Sequence, residues 1–140
     1  MPRTMNAIRI HEPGGADALR CEAVPVPRPG PGEALVRLEA AGVNFIDVYK
    51  RSGVYRVPLP ATLGEEGAGT VAEVGAGVEE VRVGERVAWA GVIGSYAEYA
   101  VVGAGRLVPL PEAVSARQGA AVMLQGMTAH YLATSTYALG

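Results

Sequence analysis

Glycine and proline set the grain of this chain: 19 glycines and 10 prolines among 140 residues, spread without a period, interrupt any regular element after a few residues. Between the interruptions the apolar residues alternate. In Glu33 to Ala40, for example, Ala34, Val36, Leu38 and Ala40 share one face while Glu33, Arg37 and Glu39 share the other. Such a text predicts many short strands joined by tight turns, and hence a small barrel rather than a helical bundle. A hydrophobic fraction of 49% against 19% charged residues is enough to bury a core, and the length suits one ordinary domain.

The chain opens with a predicted hairpin: Ala7 to His11 as one strand, a Pro-Gly-Gly turn, and Leu19 to Val24 returning. Pro25, Pro27, Pro29 and Pro31 then make a stiff, extended connector. After the strand over 33–40, the period changes. Asn44 is placed to cap a short helix, Asp47 holds the acid position of a capping box and can pair with Arg51 at i,i+4, and Gly53 can end the helix. Further short strands are predicted at Thr70–Val74, Glu80–Val83, Arg86–Ala90 and Tyr96–Val101. From Ser115, a capping box with Gln118 opens a helix to Tyr137, with Ala120, Leu124, Met127 and Tyr131 on one face and a break at Gly126 expected from the cost of glycine. The fold class expected is therefore mainly β, in an α+β sense, with a helical end.

Several functions are excluded by what is missing. Twelve basic against fourteen acidic side chains leave a net charge of −2, so there is no footprint for nucleic acid. No apolar run approaches a membrane span, and Met1 to His11 lacks a secretory pattern. A single cysteine, Cys21, cannot form an internal disulfide and is expected as a small buried hydrophobe; a cytoplasmic setting is the simplest.

The letters Gly67-Ala68-Gly69-Thr70-Val71-Ala72 match a dinucleotide fingerprint, but they precede a strand-like alternation, not a helix, so no helix N-terminus would face a pyrophosphate. These glycines are expected to let strands pass closely. His11, His130 and Cys21 are not spaced as metal ligands, and no serine or cysteine lies near a histidine in sequence. The remaining polar cluster is Asn44, Asp47, Tyr49 and Tyr55, which reads first as a cap with packed tyrosines and only second as a site.

Taken in order, a longer series of residues resembles a known family. Pro13-Gly14-Gly15 with Leu19 is followed by Ala41-Gly42-Val43-Asn44-Phe45-Ile46-Asp47, Tyr49 and Arg51-Ser52-Gly53-Val54-Tyr55. Then come Gly64 to Val71, Val83-Gly84-Glu85-Arg86-Val87, Gly94-Ser95-Tyr96-Ala97-Glu98-Tyr99, Ala120-Ala121 and Leu124-Gln125-Gly126-Met127-Thr128. This series is similar to the N-terminal part of the zinc-independent, zeta-crystallin-like quinone oxidoreductases of the medium-chain dehydrogenase/reductase superfamily.

The resemblance implies a GroES-like β-barrel catalytic domain over 1–114 and a helical connector over 115–140, leading to a Rossmann domain that this chain lacks. It implies hydride transfer from NADPH to a quinone, with no zinc: relatives that use zinc place a cysteine where Asn44 stands and a histidine where Glu65 stands. Asn44, Asp47 and Tyr55 are implied as catalytic residues, and Asn44, Tyr49, Gln125 and Thr128 as contacts to the cofactor; many family members carry lysine in place of Gln125. A homodimer or higher homo-oligomer is implied for complete proteins. By the same token, the chain is expected to hold half an active site and to bind NADPH poorly alone. The alternatives are an NADPH-dependent enone or alkene reductase of the same superfamily, and a non-catalytic GroES-like interaction module. A connector helix without its neighbour is expected to expose its apolar face and to self-associate.

Overall fold

A computed structural model describes residues 3–137. The strands are β1 (Thr4–Ile10), β2 (Arg20–Pro25), β3 (Glu33–Gly42), β4 (Ala61–Thr62), β5 (Glu66–Val74), β6 (Arg86–Ala90), β7 (Tyr99–Gly103) and β8 (Val108–Pro109). Helix α1 (Phe45–Arg51) follows β3, and helix α2 (Ala116–Tyr131) follows β8. The strands make a three-stranded sheet, β2-β1-β4, and a five-stranded sheet, β7-β3-β5-β6-β8, with every pairing antiparallel.

The segment just before β7 stitches the two sheets together. Ile8 N–H donates to the Tyr96 carbonyl at 2.7 Å and Glu98 N–H to the Asn6 carbonyl at 3.1 Å, while Leu38 N–H donates to the Glu98 carbonyl at 2.9 Å. The result is the mainly β, barrel-like body expected from the sequence. Its main core packs Val36, Val71, Val87, Trp89 and Val102, and a smaller one lies around Ile10, Ala61 and Leu63. Two bulges, at Leu35/Val36 and Leu38/Ala40, bend β3, so Leu35 is buried as well as its neighbours Ala34 and Val36.

Gly67 and Gly69 lie inside β5, as the rejection of the dinucleotide motif requires. A Cβ on Gly69 would stand 2.8 Å from the Arg37 carbonyl carbon, and one on Gly67 would meet the Trp89 ring at 2.8 Å. These two positions let β5 press against β3 and against the one tryptophan.

The structure corrects several expectations. Glu80–Val83 is not a strand: Gly77 and Gly84 turn the chain on either side with φ of 76° and 90°, and only Val81 points into the core. The strand expected to start at Tyr96 starts at Tyr99, because Tyr96 to Glu98 bonds to both sheets in turn. Cys21 is exposed, since β2 is an edge strand with one face in solvent. Gly126 does not break α2, which runs unbroken to Tyr131 and ends in a π-helical turn at Leu132–Thr136; one glycine costs about 1 kcal/mol, too little to stop a helix already anchored by its first half. Residues 138–140 of the expected connector lie outside the described residues.

The packed face of α2 also differs from the expected one. Ala116, Gly119 and Ala120 are buried, with Met123 packed beside them, against Ala68 and Ala88 of the five-stranded sheet. Met127 and Tyr131 are exposed, and α2 departs from the sheet beyond its midpoint.

Candidate active site

The site is assembled where three elements meet: the end of β3 with the start of α1, the start of β5, and the middle of α2. Asn44 has extended backbone and precedes α1, forming a capping box with Asp47. Its N–H donates to Asp47 Oδ2 at 3.0 Å. The short hydrogen bonds of its side chain, however, lead away from the helix. Nδ2 donates to Glu66 Oε2 at 2.8 Å, and Oδ1 accepts from Gln125 Nε2 at 2.7 Å.

Glu66 has no solvent exposure, and its second oxygen accepts the Leu124 N–H of α2 at 2.8 Å. Gly42 makes room for this carboxylate. A Cβ there would collide with it and would stand 2.5 Å from the Ala120 carbonyl oxygen. Beside these residues lies a cavity of about 390 Å³, lined in part by Gly42, Val43, Glu66, Arg117 and Gln125.

A second buried polar group supports α1 from below. Asp47 Oδ2 also accepts from the Tyr96 hydroxyl at 2.7 Å, and Oδ1 is buried with no hydrogen-bond partner. Burial, then the hydrogen bond to Asp47 and its charge, push the Tyr96 hydroxyl well above the usual tyrosine pKa. Asp47 does not pair with Arg51, whose guanidinium instead reaches the Gly14 carbonyl. Lys50 forms an ion pair with Glu65, both side chains being largely buried at 15% and 10% exposure. Burial lowers the Lys50 pKa, and the negative charge of Asp47 opposes that shift.

On the outer side of α1 stands an aromatic wall. Phe45 and Tyr49 have ring centroids 6.4 Å apart, and Tyr49 meets Tyr55 edge-on at 5.7 Å. Phe45 is 78% exposed, and the two tyrosines are about half exposed.

Of the residues singled out from sequence, the structure therefore joins Asn44 to Gln125, Asn44 to Asp47, and Tyr49 to Tyr55. It does not join Thr128 to them: its hydroxyl donates to the Leu124 carbonyl of its own helix at 2.8 Å. Sequence reasoning missed Glu66, Lys50 and Tyr96, and it named Glu65 without its lysine partner. A signal existed for the acids. Glu65 and Glu66 interrupt the otherwise uncharged run Leu63 to Gly69, and a charge in such a run needs partners when buried.

No group of three or more metal-ligating side chains occurs among the described residues. At the two positions where zinc-using relatives carry ligands, Asn44 is committed to an amide network and Glu65 to a lysine.

Comparison with known proteins places this architecture. The sequence profile of the alcohol dehydrogenase GroES-like domain matches residues 30–112. A quinone oxidoreductase of Pseudomonas aeruginosa is 48% identical over 128 residues, covering 90% of this chain and 39% of the relative. The 2-haloacrylate reductase of a Burkholderia species is 39% identical over 138 residues, covering 91% and 40%. The crystal structure of Escherichia coli quinone oxidoreductase in complex with NADPH superposes with a TM-score of 0.93 at 39% identity, covering 96% of this chain and 42% of that one. The chain thus spans about two fifths of the length of the relatives it matches. It belongs to the alcohol dehydrogenase GroES-like domain family and matches the N-terminal, GroES-like part of these medium-chain dehydrogenase/reductase relatives.

Proposed function

We propose that this chain forms the substrate side of an NADPH-dependent quinone oxidoreductase working without zinc, with 1–114 as the GroES-like unit and 115–140 as the connector to a nucleotide-binding domain. The overall reaction balances as quinone, NADPH and a proton giving hydroquinone and NADP⁺. The observation that carries the reading is Asn44, 7% exposed and hydrogen-bonded on both sides, at the position where a metal-dependent relative carries its thiolate. A quinone is electrophilic enough to take hydride without a Lewis acid, so orientation and exclusion of water are the protein's main tasks.

The residues present suit the nicotinamide end of the cofactor. A carboxamide needs both a donor and an acceptor, which the Asn44 and Gln125 amides offer side by side, and a planar ring needs a flat apolar neighbour, which the exposed Phe45–Tyr49–Tyr55 wall supplies. NADPH, when bound, supplies the hydride. Asn44 orients its ring, Tyr49 and Tyr55 border ring and quinone, and Asp47, tied to Asn44 N–H and Tyr96, holds the start of α1 in place. Gln125 touches the cofactor through the same amide pair, whereas Thr128 contributes only by rotating away from its own helix carbonyl.

The test is NADPH oxidation, followed by absorbance with 1,4-benzoquinone or 9,10-phenanthrenequinone, in the protein that carries this chain, together with metal analysis. Turnover by a metal-free preparation, reduced at least about tenfold in Asn44→Ala, is expected; dependence on stoichiometric zinc would refute the reading. A second reading, reduction of activated alkenes, is favoured by the 39% identity to 2-haloacrylate reductase. It predicts higher kcat/KM on 2-chloroacrylate than on either quinone.

A further inference from the structure

We infer that Glu66 is the positioning residue of this site: being an acceptor only, its carboxylate decides which way round the Asn44 amide stands. For its consequence in catalysis, the inference rests on the proposed role of Asn44. The geometry allows one arrangement. Glu66 is completely buried between β5, the start of α1 and α2. Oε1 receives the Leu124 N–H at 2.8 Å, a backbone group that can only donate. Oε2 lies 2.8 Å from the Asn44 amide, which could in principle turn either its nitrogen or its oxygen inward. A carboxylate accepts the nitrogen and repels the oxygen.

Asn44 Oδ1 must then face α2, where Gln125 Nε2 donates to it at 2.7 Å. One hydrogen of Asn44 Nδ2 is used by Glu66, and the second remains for a ligand acceptor. The polarity of the whole chain, from carboxylate to asparagine to glutamine, is set at its buried end. Gly42 preserves this by leaving the space the carboxylate occupies.

Glu66→Gln reverses the argument. The introduced amide must keep its oxygen on the Leu124 N–H, so its NH₂ faces Asn44, which is driven to flip. Asn44 Nδ2 then points at Gln125, whose exposed side chain can rotate to accept. The direct test is ¹⁵N–¹H spectroscopy of this 140-residue chain, reading couplings across hydrogen bonds. In the wild type, Asn44 Nδ2 is expected to couple to the Glu66 carboxylate; in Glu66→Gln, the introduced NH₂ is expected to couple to the Asn44 carbonyl. An unflipped Asn44 in that variant overturns the inference.

Should Glu66→Gln fail to fold, the exchange variant N44D/E66Q restores every hydrogen bond with the two groups swapped. Its melting temperature is expected near the wild type, and a double variant that fails to fold as well overturns the inference. In the active protein, E66Q is expected to lower kcat/KM about a hundredfold through a misplaced amide, and N44D/E66Q to stay inactive despite restored stability because the amide hydrogen is gone. A flipped amide with unchanged turnover would leave the positioning role standing and remove the proposed role of Asn44 instead.

Discussion

Gly42→Ala gives the sharpest test of how the site is held. The added methyl group would meet the Glu66 carboxylate and stand 2.5 Å from the Ala120 carbonyl oxygen, a backbone atom of α2. A side chain can swing aside, but α2 must retreat as a body by about 0.5 Å or more to reach ordinary contact distance. That retreat strains the packing of Ala116 and Ala120 on Ala68 and Ala88. Overpacking of this kind costs about 1–3 kcal/mol. It also stretches the hydrogen bond from Leu124 N–H to Glu66, worth about 1.5–3 kcal/mol because the acceptor is charged. The expected loss is about 4 kcal/mol, a large share of the roughly 5–15 kcal/mol that a domain possesses. Urea titration followed by the emission of Trp89, the one tryptophan and fully buried, reads this loss directly; by heating, the midpoint should fall by roughly 10 °C. Gly103→Ala is the control, since a Cβ there meets nothing within 4 Å and φ is negative. It should lie within about 0.5 kcal/mol of the wild type. A loss below about 1 kcal/mol for Gly42→Ala would refute the claim that this glycine is what allows Glu66 beneath α2.

Tyr96 should remain protonated at about pH 11, where an unperturbed tyrosine has ionised. Tyr96→Phe should therefore leave the tyrosinate absorbance near 295 nm unchanged at that pH, and a drop equal to one tyrosine would contradict the Asp47 hydrogen bond. Because the folded protein keeps this proton longer than the unfolded chain, the stabilisation is complete below pH 10 and declines as pH rises above it; urea midpoints in the wild type should fall more steeply there than in Tyr96→Phe. Lys50→Met leaves Glu65 buried without its cation and should cost about 3 kcal/mol, most of it recovered in K50M/E65L; equal losses in both variants would show that the ion pair does not organise the space beneath α1. Val81→Ala removes two methyl groups from a core position supplied by a loop, and chemical denaturation should show a loss of about 2 kcal/mol, against near zero if that loop were merely draped on the surface.

The sequence alone was enough for the class of fold and for the starts of its helices, because both are local. Alternation in β3 and the capping residues Asn44, Asp47, Ser115 and Gln118 act within a few residues of one another; Asp47, Ser115 and Gln118 cap as read, while Asn44 takes the cap position with its side chain turned to Glu66 and Gln125. Where a segment had to choose between local propensity and distant partners, only the tertiary structure decided. Val81 is core without belonging to a strand, Tyr96 to Glu98 divides its hydrogen bonds between two sheets, and α2 buries its alanine and glycine turn because only small side chains fit against Ala68 and Ala88. The site divides the same way. Asn44, Asp47, Tyr49, Tyr55 and Gln125 stand out in the sequence, but the direction of the Asn44 amide depends on Glu66, 22 positions along the chain, and on a helix packed over both. A hydrogen bond has an orientation only once its partners are fixed in space, and that fixing is the work of the fold.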